Sequence, residues 1–222
     1  MSTYPRVVGE DATIDEVVKR NASIARYGDG EFNLIKGGNC VSQIADPGIR
    51  KELIGILTSQ NTDCLVGIPN MTKESPKAAN WLPRASTYSK HLDPKKLYFS
   101  SFVTRPDSAP WVNNKQYFDK IEALWAHQQV ILVHCGERSL SPSLMSSAES
   151  VYSVICPRRD AYRVIDELML QTVKLCDITG ISRVFLCAGP TATCMAHRLS
   201  LAGIQGLDLG HIGSYWRRYE HA

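Results

Sequence analysis

The 222-residue chain has little surplus charge, no long apolar run, no closely paired cysteines and no low-complexity tract. Each absence removes a class of function. With 25 basic against 22 acidic side chains, evenly scattered, the net charge of +3 offers no basic face of the kind that tracks nucleic-acid phosphates. No stretch approaches the ~20 apolar residues that span a bilayer. The opening segment, MSTYPRVVGEDATIDEVVKR, lacks an apolar core of signal-peptide length, so a soluble cytoplasmic protein is expected. The cysteines Cys40, Cys64, Cys135, Cys156, Cys176, Cys187 and Cys194 are odd in number, and none stands in a C-x-x-C pair. Buried, reduced thiols are expected in place of zinc ligands or disulfides. H-E-x-x-H, G-x-S-x-G and G-x-G-x-x-G are also missing, which argues against zinc proteases, the common hydrolase elbow and the usual dinucleotide fold.

What is present is a regular alternation. Apolar runs at Ser23–Tyr27, Asp63–Ile68, Leu97–Phe102, Val130–His134, Ser150–Ile155, Arg183–Ala188 and Gln205–Leu209 read as strands. Between them, 47–60, 75–91, 114–126, 160–176 and 190–201 carry apolar residues at three-and-four spacing and read as amphipathic helices. Asp46-Pro47 and Ser75-Pro76 look like helix entries, and Gly203 like a stop. The pattern predicts an α/β fold: one Rossmann-like domain over 1–222, a mostly parallel sheet with helices on both faces. Met71–Arg84 and Thr104–Asn114 are the least regular segments and are expected to serve as binding loops or lids.

Chemistry concentrates at the strand ends. In Arg26-Tyr27-Gly28-Asp29-Gly30-Glu31, the acids are two apart, so an extended backbone would aim both carboxylates the same way between Gly28 and Gly30. Convergent oxygens suit Mg²⁺ or Mn²⁺. Alone, the pattern is more often a Gly-rich turn with solvated acids. Cys187-Ala188-Gly189-Pro190-Thr191 runs from a strand into a helix, which offers free N–H groups to an anion around Gly189 and Thr191. As plain strand-to-helix packing it would be equally ordinary. Cys156-Pro157-Arg158-Arg159 adds guanidinium groups at another strand end, and Arg105 invites the same reading. Surface arginines are common there too. Asp208 and His211 close the last strand. Val133-His134-Cys135 suggests a phosphatase nucleophile loop, but that loop needs an arginine where Ser141 stands.

Taken in order, Arg26–Phe32, Val66–Pro69, Ser101–Pro106, Cys156–Ala161, Cys187–Thr193 and Leu207–Ile212 resemble the bacterial glycosyltransferases of the GT-D fold type, once described as a domain of unknown function. The resemblance implies a metal-dependent enzyme that moves a hexose from a nucleotide-sugar donor, a UDP-sugar, to a growing glycan acceptor, lipid-linked or protein-linked. It also implies a role in bacterial polysaccharide or glycoprotein glycan synthesis. It places Asp29 and Glu31 beside Mn²⁺ or Mg²⁺ and the donor diphosphate. In such a transfer the leaving diphosphate gathers negative charge, which cations, arginines and helix N-terminal amides stabilise. Arg26, Gly28, Gly30, Arg105, Arg158, Gly189 and Thr191 are then the expected substrate-binding residues. Asp208 and His211 are candidates for metal, ribose or acceptor. Two other readings stay open: a metal-dependent phosphate-ester hydrolase or phosphoryl transferase, and a non-catalytic nucleotide-sugar binding protein. The segment Trp216-Arg217-Arg218-Tyr219 is either a peripheral membrane contact at the inner face or a closing helix packed on the domain.

Overall fold

A computed structural model describes residues 4–71, 78–107, 114–136 and 142–220. In chain order the elements are α1 (Glu10–Arg20), β1 (Ser23–Arg26), α2 (Asp29–Ile35), α3 (Pro47–Thr58), β2 (Cys64–Ile68), α4 (Ala78–Trp81), α5 (Ala85–Tyr88), β3 (Phe99–Ser100), α6 (Asn114–Glu122), β4 (Gln129–His134), β5 (Ser150–Ile155), α7 (Ile165–Thr179), β6 (Arg183–Cys187), α8 (Pro190–Leu201), β7 (Gln205–Asp208) and α9 (Ile212–Glu220). All seven strands run parallel in one sheet of order β3-β2-β1-β7-β6-β4-β5.

The central strands read as continuous apolar runs because both faces are covered. Along β6, Val184 and Leu186 enter one core, with Phe185 and Cys187 in the other. In β4 Ile131 and Val133 divide from Val130 and Leu132 in the same way. The first core takes apolar residues of α2, α3, α7 and α8, such as Phe32, Leu53, Leu168 and Met195. The second takes Ile14 and Val17 of α1, Tyr117 and Ile121 of α6, and Ile212 of α9. All seven cysteines are free thiols, five of them buried.

Helix entries follow the expected chemistry where it can be checked. The Asp46 side chain accepts from the N–H groups of Gly48 and Ile49 ahead of Pro47, and Gly203 follows α8 in the left-handed region at φ +74°. The Ser75-Pro76 entry lies outside the described residues.

The helices α1 and α2 were not expected from the sequence, and the expected 75–91 helix is observed in pieces. In α1, Ile14 and Val17 stand three apart and are buried, a short apolar stripe in a mostly polar segment that the sequence reading passed over. The stretch expected as one helix over 75–91 is broken, within its described part, around Pro83 into α4, a short 3₁₀ turn and α5. In α9, Trp216 and Tyr219 each set their rings 4.9 Å from that of Phe118. That contact is the closing-helix alternative, with the aromatic side of the segment turned to the core. Among the described residues no helix is long and apolar enough to cross a membrane.

Candidate active site

The carboxyl ends of β1, β6 and β7, with the turn that follows β3, enclose a cavity of about 750 Å³. It opens where the strand order jumps from β1 to β7, the kind of crevice in which open α/β sheets hold ligands. Arg26, Gly28, Asp29, Gly30, Glu31, Arg105, Gly189, Asp208 and His211 all line it. These nine expected site residues, drawn from four separate segments, share one cavity.

The acidic pair reaches the cavity by a route the sequence reading did not foresee. Asp29 and Glu31 are not on extended backbone. They occupy the first turn of α2, where residues two apart diverge by about 200° around the axis. Their carboxylates therefore do not point together by alternation. Glu31 turns back on its own helix, and its Oε2 accepts the Gly28 N–H at 2.7 Å, the reciprocal half of a capping box. Burial drives the Glu31 pKa up to about 7, opposed by the Gly28 N–H and assisted by the nearby Asp208 carboxylate. Asp29, by contrast, is exposed and has no partner among the described residues.

Asp208 is held differently. Its Oδ1 accepts from Arg26 Nη2 at 3.2 Å and from the Gly210 N–H at 2.9 Å, and the pair is almost wholly buried. Arg26 spans the site. Its Nε donates to the Asp208 carbonyl and its Nη1 to the Ser101 carbonyl, both at 2.7 Å, which ties β1, β7 and the turn after β3 together. The Thr193 hydroxyl adds a bond to the Arg26 carbonyl at 2.9 Å. A Cβ on Gly210 would lie 1.9 Å from Arg26 Nη2, and φ there is +53°, so only glycine permits this closure. Beside it, desolvation and the Arg26 charge hold the His211 pKa below its ordinary value.

Gly189 opens α8 at φ +58°, and a Cβ there would meet Ser42 Oγ at 2.6 Å, so the loop before α3 lies against this helix entrance. Two residues expected at the anion site are elsewhere. Thr191 is fully buried, its hydroxyl unpartnered, and it does not line the cavity. It lies in the first turn of α8, where every residue from Pro190 to Ala196 is buried. Arg158 is exposed and also absent from the lining. It follows β5, an edge strand, three places from β7.

Sequence reasoning did not single out the aromatic wall. Trp81 and Phe102 line the cavity with ring centroids 5.5 Å apart, and Tyr88 lies 6.3 Å from Trp81 and stacks on Phe32 at 3.8 Å. Such a wall suits a flat or ring-shaped ligand. Arg105 joins it. Its guanidinium lies 5.6 Å from the Phe102 ring, and its Nε donates to Tyr215 Oη at 2.9 Å, so α9 aims it at the cavity. The signal was present, since Trp81 falls in the irregular 71–84 stretch and Phe102 in the Ser101–Pro106 segment. Nothing in the one-dimensional pattern said that they face each other. Asn33, Asn39, Val41 and Ser42 complete the neighbouring rim.

Among the described residues no group of three or more His, Cys, Asp or Glu side chains is arranged to hold a metal unaided. A hard divalent ion that keeps water and substrate phosphates as ligands needs only one or two carboxylates. The unpartnered Asp29 carboxylate and the second oxygen of Glu31 fit that requirement.

The family described as glycosyltransferase GT-D fold matches residues 24–222. Glycosyltransferase GlyD of Streptococcus pneumoniae serotype 4 is 28% identical over 225 residues, which is 94% of this chain and 27% of GlyD. The probable glycosyl transferase Gly of Streptococcus gordonii is 26% identical over 227 residues, 96% of this chain and 33% of that protein. The chain thus spans about a third or less of the length of these relatives. A solved glycosyltransferase from Streptococcus sanguinis superposes with a TM-score of 0.86 at 24% identity, covering 98% of this chain and 85% of that one. A second structure, of a domain of unknown function with a distinct glycosyltransferase fold, gives 0.87 at 25% identity, over 99% and 83%. Four of the six segments, Arg26–Phe32, Ser101–Pro106, Cys187–Thr193 and Leu207–Ile212, meet at one cavity, and the chain belongs to the glycosyltransferase GT-D fold family.

Proposed function

We propose that this chain transfers a hexose from a nucleotide sugar, a UDP-sugar, to a glycan acceptor, with Mn²⁺ or Mg²⁺ bound at Asp29 and Glu31. The observation that carries the reading is the composition of the cavity. An unpartnered carboxylate, a second carboxyl group, an arginine and a helix entrance meet there beside an aromatic wall. The bound cation would neutralise charge on the leaving diphosphate.

The chain's own residues do the rest. Asp29 offers its oxygens directly, whereas Glu31 must first give up its proton and keeps one oxygen on the Gly28 N–H. Arg105, steadied by Tyr215, faces the diphosphate with a charge-assisted donor. Gly189 and Pro190, which open α8, line the cavity at the positive end of that helix's dipole. Trp81 and Phe102 pack against the base or sugar ring and exclude water from that side. Arg26 and Asp208 fix the distance between β1 and β7, so the binding groups are set before the donor arrives. His211, whose pKa desolvation and the Arg26 charge hold below its ordinary value, is a hydrogen-bonding partner for ribose or acceptor.

The test is to incubate the protein with a panel of sugar nucleotides and simple phosphate esters, with and without Mn²⁺. Release of nucleoside diphosphate from a sugar nucleotide only with the cation, raised by adding a glycan acceptor, is the expected result. Cleavage of simple phosphate esters at comparable rates points to a hydrolase and overturns the proposal. Tight binding of sugar nucleotides without turnover overturns it in favour of a binding protein.

A further inference from the structure

The two edges of the sheet are treated very differently. The β3 edge is two residues long, and the N-terminal segment covers the chain beside it. The Val8 N–H donates to the Tyr98 carbonyl at 2.8 Å, and the Tyr98 N–H to the Arg6 carbonyl at 3.1 Å. The β5 edge is six residues long, Ser150-Val151-Tyr152-Ser153-Val154-Ile155, with no charge and no proline along it. Those are the devices that normally keep an edge strand from pairing with another chain. Val151 is 40% and Ile155 62% exposed, large values for aliphatic side chains in a sheet otherwise covered on both faces.

We propose that β5 pairs antiparallel with β5 of a second copy of this chain, forming a two-fold dimer with one continuous sheet across it. The backbone sets the register. The Cys156 N–H donates inward to the His134 carbonyl of β4, so alternation turns the backbone groups of Val151, Ser153 and Ile155 outward. With the two-fold axis at Ser153, Ser153 meets its own copy and Val151 meets the partner's Ile155. Every outward donor in this stretch then faces an outward acceptor. The exposed Val151 and Ile155 side chains cover each other across the axis, on the face opposite the buried Val154 and Cys156.

Charge selects the same arrangement. Glu149 stands at one end of the strand, Arg158 and Arg159 at the other, and all three are exposed. Antiparallel pairing about Ser153 sets Glu149 beside Pro157-Arg158 of the second copy, acid against base at both ends. A parallel pairing would set like charge against like. The inference also gives Arg158 a task away from the cavity, and it does not depend on the transferase reading.

Sedimentation velocity on the full chain from about 1 to 100 µM tests it. A concentration-dependent dimer is expected. Val151→Lys should weaken it by more than about tenfold while leaving the melting temperature of the monomer within the range of a surface change. Arg158→Glu should weaken it by about tenfold, and Glu149→Arg combined with Arg158→Glu should restore it, a rescue that a merely misfolded variant would not give. A monomer at every concentration overturns the proposal. So does a dimer that Val151→Lys and Arg158→Glu leave unchanged, because another face then carries it, and so does an edge that pairs only with added extended peptides.

Discussion

The strand ends of β1 and β7 and those of β4 and β5 carry similar residue types to opposite effect. At the first pair, Arg26 and Asp208 are locked to each other and to backbone, and they frame a cavity that leaves Asp29 without a partner. At the second, Arg158 and Arg159 lie in solvent and do not line that cavity. An arginine after a strand is thus not in itself a phosphate ligand. What separates the two cases is position in the sheet. The β1/β7 boundary is where loops diverge and leave a crevice, whereas β5 is an edge with no neighbour to form the other wall.

The strongest way to break this comparison is at Asp29. Asp29→Asn keeps size and helix position but removes the free carboxylate, and should lower cation-dependent kcat/KM by ~10²-fold or more, as loss of a transition-state charge stabiliser does. Steady-state assays at saturating Mn²⁺ check it. A loss of less than about threefold would place the cation elsewhere.

Next in size is Asp208→Asn. It leaves the Arg26 charge buried without its counter-ion, a change that costs about 3 kcal/mol or more. Urea denaturation should show that loss even with no ligand present, since the pair's first task is to join β1 to β7. The arginines then separate the two strand-end regions directly. Arg105→Ala should weaken nucleoside diphosphate binding by about tenfold. Arg158→Ala, measured by the same calorimetry, should change it by less than about twofold. Equal effects would erase the distinction drawn between the regions.

The smallest effect concerns Glu31 and pH. Its carboxyl is raised from 4.5 in the unfolded chain to about 7 in the fold, chiefly by burial. The stability linked to its proton is therefore fully present below about pH 4.5 and is lost as pH rises through about 7. Glu31→Gln can still accept the Gly28 N–H but cannot ionise. The melting temperature of the wild type should fall relative to this variant across that window, and a parallel pair of curves would show that Glu31 is not held protonated.

Much of the fold was legible because burial on both faces makes the central strands short apolar runs, while the largely exposed edge strand β5 is still marked by its Val, Tyr and Ile residues. Ser150–Ile155 is reproduced to the residue, and the expected 130–134 run starts one residue earlier, at Gln129. Legibility fails where local pattern and tertiary contact part company. The D-x-E acids look like strand neighbours, yet α2 begins at Asp29 because Glu31 can cap the Gly28 N–H, a local hydrogen bond that alternation arguments ignore. Glu10 looks like a solvated helix residue but is 4% exposed, accepting from Ser100 Oγ at 2.9 Å and from Asn70. The cavity's residues were mostly found because strand ends are few and chemistry-bearing types at them are fewer. The Trp81–Phe102 wall was not, since pairing across segments that far apart in sequence is written only in three dimensions.

The account turns on a cation shared between Asp29 and a donor diphosphate. Calorimetric titration of UDP into the wild type and Asp29→Asn, each with and without Mn²⁺, addresses it most directly. The expected result is that Mn²⁺ tightens UDP binding to the wild type by at least about tenfold, a gain that vanishes in the variant. UDP affinity indifferent to Mn²⁺, or a gain that survives the loss of the Asp29 carboxylate, would contradict it.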